Sequence, residues 1–228
     1  AFFAIYYKNL ASDKDEAFRR AAETWARKYG PLCQMLPVTH VYEFVTAFRQ
    51  LAYFARSGGN TYSEGALFIH SSPPNSSGDT QRGVHLARFV PKTMAELRYR
   101  EEVLVPQGIA SDTLTPALVE VLERLPWSAG ARLYINGCLT GLGRTPVAKL
   151  FADTQGVITV GQSGKAYFSK RLNMYEQISP IDKTIYLKAF YRAKEALLDV
   201  FSDKPDDIPT VGFNMPMPEK TFTPQKKI

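Results

Sequence analysis

Short apolar runs alternate with segments of helical period along most of this chain, and that alternation restricts the fold more than any other feature. Ala1 to Tyr7 is apolar and aromatic and reads as a buried strand. Ser12 followed by Asp15 looks like a helix start, after which Phe18, Ala21, Ala22, Trp25 and Tyr29 keep helical spacing until Gly30-Pro31. Cys33 to Val38 is a second apolar run, and Pro37 marks it as an edge strand or strand end. Val41, Phe44, Val45, Phe48, Leu51, Ala52 and Ala55 then predict a helix that stops at Gly58-Gly59.

The second half repeats the theme. Gly65 to His70 reads as a third strand with His70 at its carboxyl end, followed by a loop from Ser71 to Asp79. Gly83 to Val90 reads as a hairpin arm, and Met94 to Glu102 has no assignable pattern. Leu114, Leu118, Val121, Leu122 and Leu125 predict a helix between Asp112 and Pro126. Ala131 to Asn136 is a strand, Thr145 with Pro146 opens a helix, and Gly156 to Val160 is a further strand. Ala166 to Phe168 reads as a strand, and Ile181 to Phe201 reads as a long amphipathic helix. Strands flanked in this way by helices predict an α/β domain, a three-layer α/β/α sandwich with a mainly parallel sheet. We place it at residues 1–202, with a Pro-rich C-terminal extension at 203–228.

With 228 residues, 45% of them hydrophobic and 22% charged, the chain has material for one sizeable core and no compositional case for disorder. The net charge is +6, but the basic residues are scattered rather than clustered, which does not favour nucleic acid as a partner. No apolar run reaches the ~18 residues of a membrane span, and the opening residues lack a signal peptide's basic region. Starting inside an apolar run without Met, the chain is expected to be a piece of a longer protein or a trimmed form of one, and its compartment stays open. Two cysteines, Cys33 and Cys138, make no disulfide framework, and three histidines without a CxxC or HExxH spacing give no support to a metal site. No cofactor is called for.

Cys138 follows a strand, stands between Gly137 and Gly141, and precedes a helix whose amino-terminal dipole favours a thiolate. Such a thiol becomes a nucleophile when an imidazole takes its proton and later returns it to the leaving group. Both His70 and Cys138 fall at carboxyl ends of strands, where open α/β sheets bind ligands. His85 lies in an alternating stretch, the setting of a core or surface histidine, and is the second candidate for the base; His40 at a helix start and Cys33 in an apolar strand have structural settings. All three histidines precede Cys138, which excludes a Cys-then-His order for that thiol.

His first and Cys second, on successive strand ends, resembles the caspase-like cysteine peptidases, the group of caspases, metacaspases, clostripain, gingipains, separase and CHAT domains. Leu67-Phe68-Ile69-His70-Ser71 is similar to the strand that ends in that family's catalytic His. Leu133-Tyr134-Ile135-Asn136-Gly137-Cys138-Leu139-Thr140-Gly141 is similar to the strand and turn of its catalytic Cys. Gly156 to Ser163 resembles the next strand and its substrate-side loop. The resemblance implies a cysteine-dependent peptide or amide hydrolase acting on a protein or peptide, and extends to the catalytic part of a bacterial effector or toxin. It implies Cys138 as nucleophile, His70 as general acid and base, and the N–H groups of Cys138 and Ser71 as oxyanion donors. Ser71 stands where the family usually has Gly. Asn136, Gln162, Ser163 and Lys165 are the candidates for contact with substrate. Two other readings compete: a non-catalytic interaction module of the same fold, and a nucleotide-binding domain using Gly137 to Gly143 as its phosphate loop.

Overall fold

The computed structural model describes residues 1–8, 16–71, 84–85, 90–106, 113–114, 116–137, 140–141, 146–162 and 219–225. The strands of the main sheet are β1 (Phe2–Tyr7), β2 (Cys33–Val38), β3 (Tyr62–Phe68), β7 (Trp127–Asn136), β8 (Ile158–Gln162) and β9 (Glu219–Phe222). They lie side by side in the order β2-β1-β3-β7-β8-β9. The first five run parallel, and β9 pairs antiparallel with β8. Between β3 and β7 the chain builds a second, antiparallel sheet of two-residue strands: β4 (His70–Ser71), β5 (Val84–His85) and β6 (Thr113–Leu114). The protein is an α/β domain with a mostly parallel sheet, as the alternation of apolar runs predicts.

The two faces of the sheet can be read from adjacent residues of β1, whose side chains point to opposite sides. Phe2 stacks on Tyr29, just past α1 (Glu16–Arg27), with ring centroids 3.9 Å apart. Phe3, on the other face, meets Phe48 of α2 (Val41–Ser57) at 6.5 Å and Tyr62 at 5.1 Å. Strand order explains this: right-handed crossovers from β1 to β2 and back past β1 to β3 run in opposite directions and place their helices on opposite faces. On the α1 side, Ala4 and Ala66 sit in register and fully buried, leaving room for the buried Ala21 and Ala22 of the helix. On the α2 side, Phe48 also meets Phe151 of α5 (Val147–Gln155) at 6.2 Å. Burial of each such ring contributes about 1.5–3 kcal/mol. His40 starts α2 by accepting the Glu43 N–H at Nδ1, 3.3 Å away, the helix-start role its position implies.

Several boundaries differ from the sequence reading. His70 is not the last residue of β3 but stands two positions beyond it, in register with His85. Pro146 is itself the N-cap of α5, so the helix opens at Val147, one position later than expected. The helix expected between Asp112 and Pro126 shrinks to α4 (Pro116–Glu120), because Thr113–Leu114 pairs with β5. Met94 to Glu102, unassigned from sequence, forms α3 (Met94–Tyr99) and a π-turn at Arg100–Leu104. A capping box starts α3: Thr93 Oγ1 accepts the Glu96 N–H at 3.2 Å while the Glu96 carboxylate accepts the Thr93 N–H at 3.1 Å. Pro37 sits on β2, at the sheet edge, where a residue without an N–H is tolerated. Residues 219–222, expected in a tail, complete the sheet as β9. The expected helix start at Ser12 to Asp15, the strand at Ala166 to Phe168 and the helix at Ile181 to Phe201 lie outside the described residues.

Candidate active site

The strand order reverses direction at β1, so the crevice above the carboxyl ends of β1 and β3 is where an open α/β sheet receives a ligand. His70 stands at that crevice. Its neighbours alternate, Ile69 and Ser71 buried and His70 exposed. The imidazole lies edge-to-face against Phe18 of α1 at 4.6 Å and Tyr7 of β1 at 5.4 Å. Those two rings meet each other at 6.3 Å, giving an aromatic corner on the β1 side of the histidine.

The end of β7 lies beside the end of β3. The Ile69 N–H donates to the Asn136 carbonyl at 3.2 Å. A Cβ on Gly137 would fall 2.7 Å from the Ile69 carbonyl oxygen and 3.4 Å from Ser71 Cβ, so only glycine lets the two segments approach this closely. Cys138, the next residue, lies outside the described residues, as do Ser163 and Lys165.

Beyond Cys138 the chain is tied to the neighbouring strands by Thr140, whose hydroxyl is fully buried. Thr140 Oγ1 lies within donating distance of the Ile135 carbonyl at 3.0 Å and the Gly137 carbonyl at 3.2 Å, and it accepts the Gln162 N–H at 3.0 Å. Gly141 donates its N–H to the Gln162 carbonyl at 2.8 Å, and the Thr140 carbonyl accepts the Ala148 N–H at 3.0 Å. Gly141 and Gly161 pack backbone to backbone; a Cβ at 141 would sit 3.0 Å from the Gly161 carbonyl. The sequence reading includes Thr140 and Gly161 only as parts of the turn and the strand and gives neither a role of its own. The bonding also bears on the phosphate-loop reading: the Gly141 N–H, which such a loop would aim at an anion, is committed to Gln162.

Asn136 and Gln162, expected at the rim of the cleft, are 0% exposed and lie beneath it. Ser71 is 8% exposed, and its hydroxyl has no hydrogen-bond partner among the described residues. Cys33 is half-buried, and burial pushes its thiol up to about 12, which keeps it protonated at neutral pH. That fits the structural role its apolar strand suggests. No group of three His, Cys, Asp or Glu among the described residues is placed to hold a metal ion. No helix among them is long and apolar enough to cross a membrane. A cavity of about 830 Å3 opens at the amino end of β8, lined by Arg124, Asp153 and Gln225 among others, but it is remote from the carboxyl rim in the fold and carries neither histidine nor cysteine.

Fold and rim together define an α/β domain in which the carboxyl ends of β3 and β7 meet through close backbone contact at Gly137, one strand over from the β1–β3 crevice where His70 stands. Compared with known proteins, the chain matches no family model, no curated protein and no solved structure.

Proposed function

We propose that this chain is a cysteine-dependent peptide or amide hydrolase, a three-layer α/β/α sandwich of caspase-like design, in which Cys138 and His70 form the catalytic dyad. The observation that carries the reading is the contact of Gly137 with Ile69 and Ser71, since it brings the residues flanking His70 against the residue preceding Cys138. The parallel neighbours β3 and β7, both ending at one rim, support it as well.

In this reading the His70 imidazole takes the Cys138 proton, and the thiolate attacks the substrate carbonyl carbon. As the C–S bond forms, the carbonyl π pair moves to oxygen, where the N–H groups of Cys138 and Ser71 donate; one such donor is worth about 3 kcal/mol in acyl transfer. The imidazolium then protonates the leaving amine as the C–N bond breaks. Water, deprotonated by His70, hydrolyses the thioester and restores the thiol. Asn136 and Gln162 supply a neutral floor beneath the rim, while Ser163 and Lys165 are the candidates on the substrate side.

The test is digestion of a denatured peptide pool by the purified chain. The reading expects cleavage that Cys138→Ala abolishes with the fold intact. A non-catalytic interaction module would instead cleave nothing and retain partner binding in the same variant.

A further inference from the structure

Among the described residues at the rim, Ser71 has a side chain that is enclosed and a hydroxyl that is unmatched. It is 8% exposed, its Oγ has no hydrogen-bond partner among the described residues, and its Cβ faces the space that Gly137 leaves by lacking a side chain. A buried hydroxyl without a partner costs free energy that alanine would not, and it keeps its donor capacity for a group that arrives later. The neighbouring polar atoms do not fill this role: the Thr140 hydroxyl is taken up by Ile135, Gly137 and Gln162.

We propose that the Ser71 hydroxyl is a ligand-facing donor that hydrogen-bonds the carbonyl oxygen of an amide or aldehyde ligand and follows it as charge develops there. The inference rests on the hydrolase reading above and adds a side-chain donor to the backbone N–H groups already named. A hydroxyl rotates freely, so it can turn towards an oxygen that shifts as a planar carbonyl becomes tetrahedral. Serine in place of glycine at this position then adds a contact rather than removing one.

The experiment uses a panel of N-acetylated tripeptide aldehydes that differ only in the residue bearing the aldehyde. A thiol adds to such an aldehyde by forming a C–S bond, while the carbonyl π pair becomes an oxyanion that takes the proton from the imidazolium, giving a hemithioacetal. Iodoacetamide alkylation of Cys138, which develops no charge on a carbonyl oxygen under attack, serves as the reference reaction. In Ser71→Ala the ratio of aldehyde affinity to alkylation rate is expected to fall at least about 10-fold, as loss of an oxyanion donor does. The thermal midpoint is expected to stay level or rise, because an unmatched buried group has been removed. Ser71→Gly serves as the second variant and should show the same fall in the ratio. An unchanged ratio in both variants overturns the Ser71 proposal and leaves the dyad standing. A fall in thermal midpoint with an unchanged ratio overturns it too, in favour of a packing role. Wild-type alkylation that is slow and indifferent to His70→Ala overturns the hydrolase reading and this inference with it.

Discussion

The Thr140 hydroxyl bridges two carbonyls at the end of β7 and the N–H of Gln162, the last residue of β8, all within 3.2 Å and all buried. Valine has nearly the same shape but can neither donate nor accept, so Thr140→Val leaves the Gln162 N–H without its partner in the interior. An orphaned buried donor costs about 1–3 kcal/mol, and that is the loss expected in chemical denaturation. Thr140→Ser keeps the hydroxyl and should recover most of it. The sequence could not mark this threonine, because its importance comes from three partners at different distances along the chain. Its neighbours were more legible: Gly137 and Gly141 stand out as glycines in a short stretch, and close backbone contact is what both turn out to make.

Among the elements, long periodic segments were readable and short ones were not. The period of α2 extends over a helix of 17 residues and both its ends carry local signals, His40 and Gly58-Gly59. The helix expected between Asp112 and Pro126 failed because Leu114 is held as a strand partner, a tertiary contact that outweighs local spacing. Past α4 the chain is irregular, with Leu122 and Leu125 buried and Val121 39% exposed. A buried glutamine from α5 stands in for the missing helical bonds: Gln155 Oε1 accepts the Leu125 N–H at 3.1 Å, and Gln155 Nε2 donates to the Glu123 carbonyl at 3.4 Å. Gln155→Leu fills the volume but satisfies neither group. We expect it to destabilise the fold by about 1–3 kcal/mol, with faster amide hydrogen exchange concentrated at Leu125. The capping box at Thr93 was readable in principle, but no apolar period followed it to give the signal weight.

For the molecule as a whole, burial shapes the response to alkali. Desolvation raises the Cys33 thiol from 9.0 to about 12 and the Tyr62 phenol from 10.0 to about 12. Burial also raises Tyr29, whose hydroxyl donates to the Glu64 carboxylate. In each case the unfolded chain releases its proton first, so between pH 9 and about 12 the unfolded state binds fewer protons and stability falls as pH rises. Thermal melts are expected to show a midpoint level up to pH 8 and declining above 9, and a midpoint flat to pH 11 would contradict this. The same shift makes Cys33 a slow thiol, so rapid alkylation at neutral pH reports on Cys138. The most direct measurement is therefore the rate of iodoacetamide labelling at each cysteine at pH 6.5, in the wild type and in His70→Ala. A dyad predicts that Cys138 reacts far faster than Cys33 and loses at least about 10-fold when the imidazole is removed, since a paired histidine lowers a thiol into the range of about 3.5–7.5. Equal, slow labelling of both cysteines, unchanged by His70→Ala, would contradict the account.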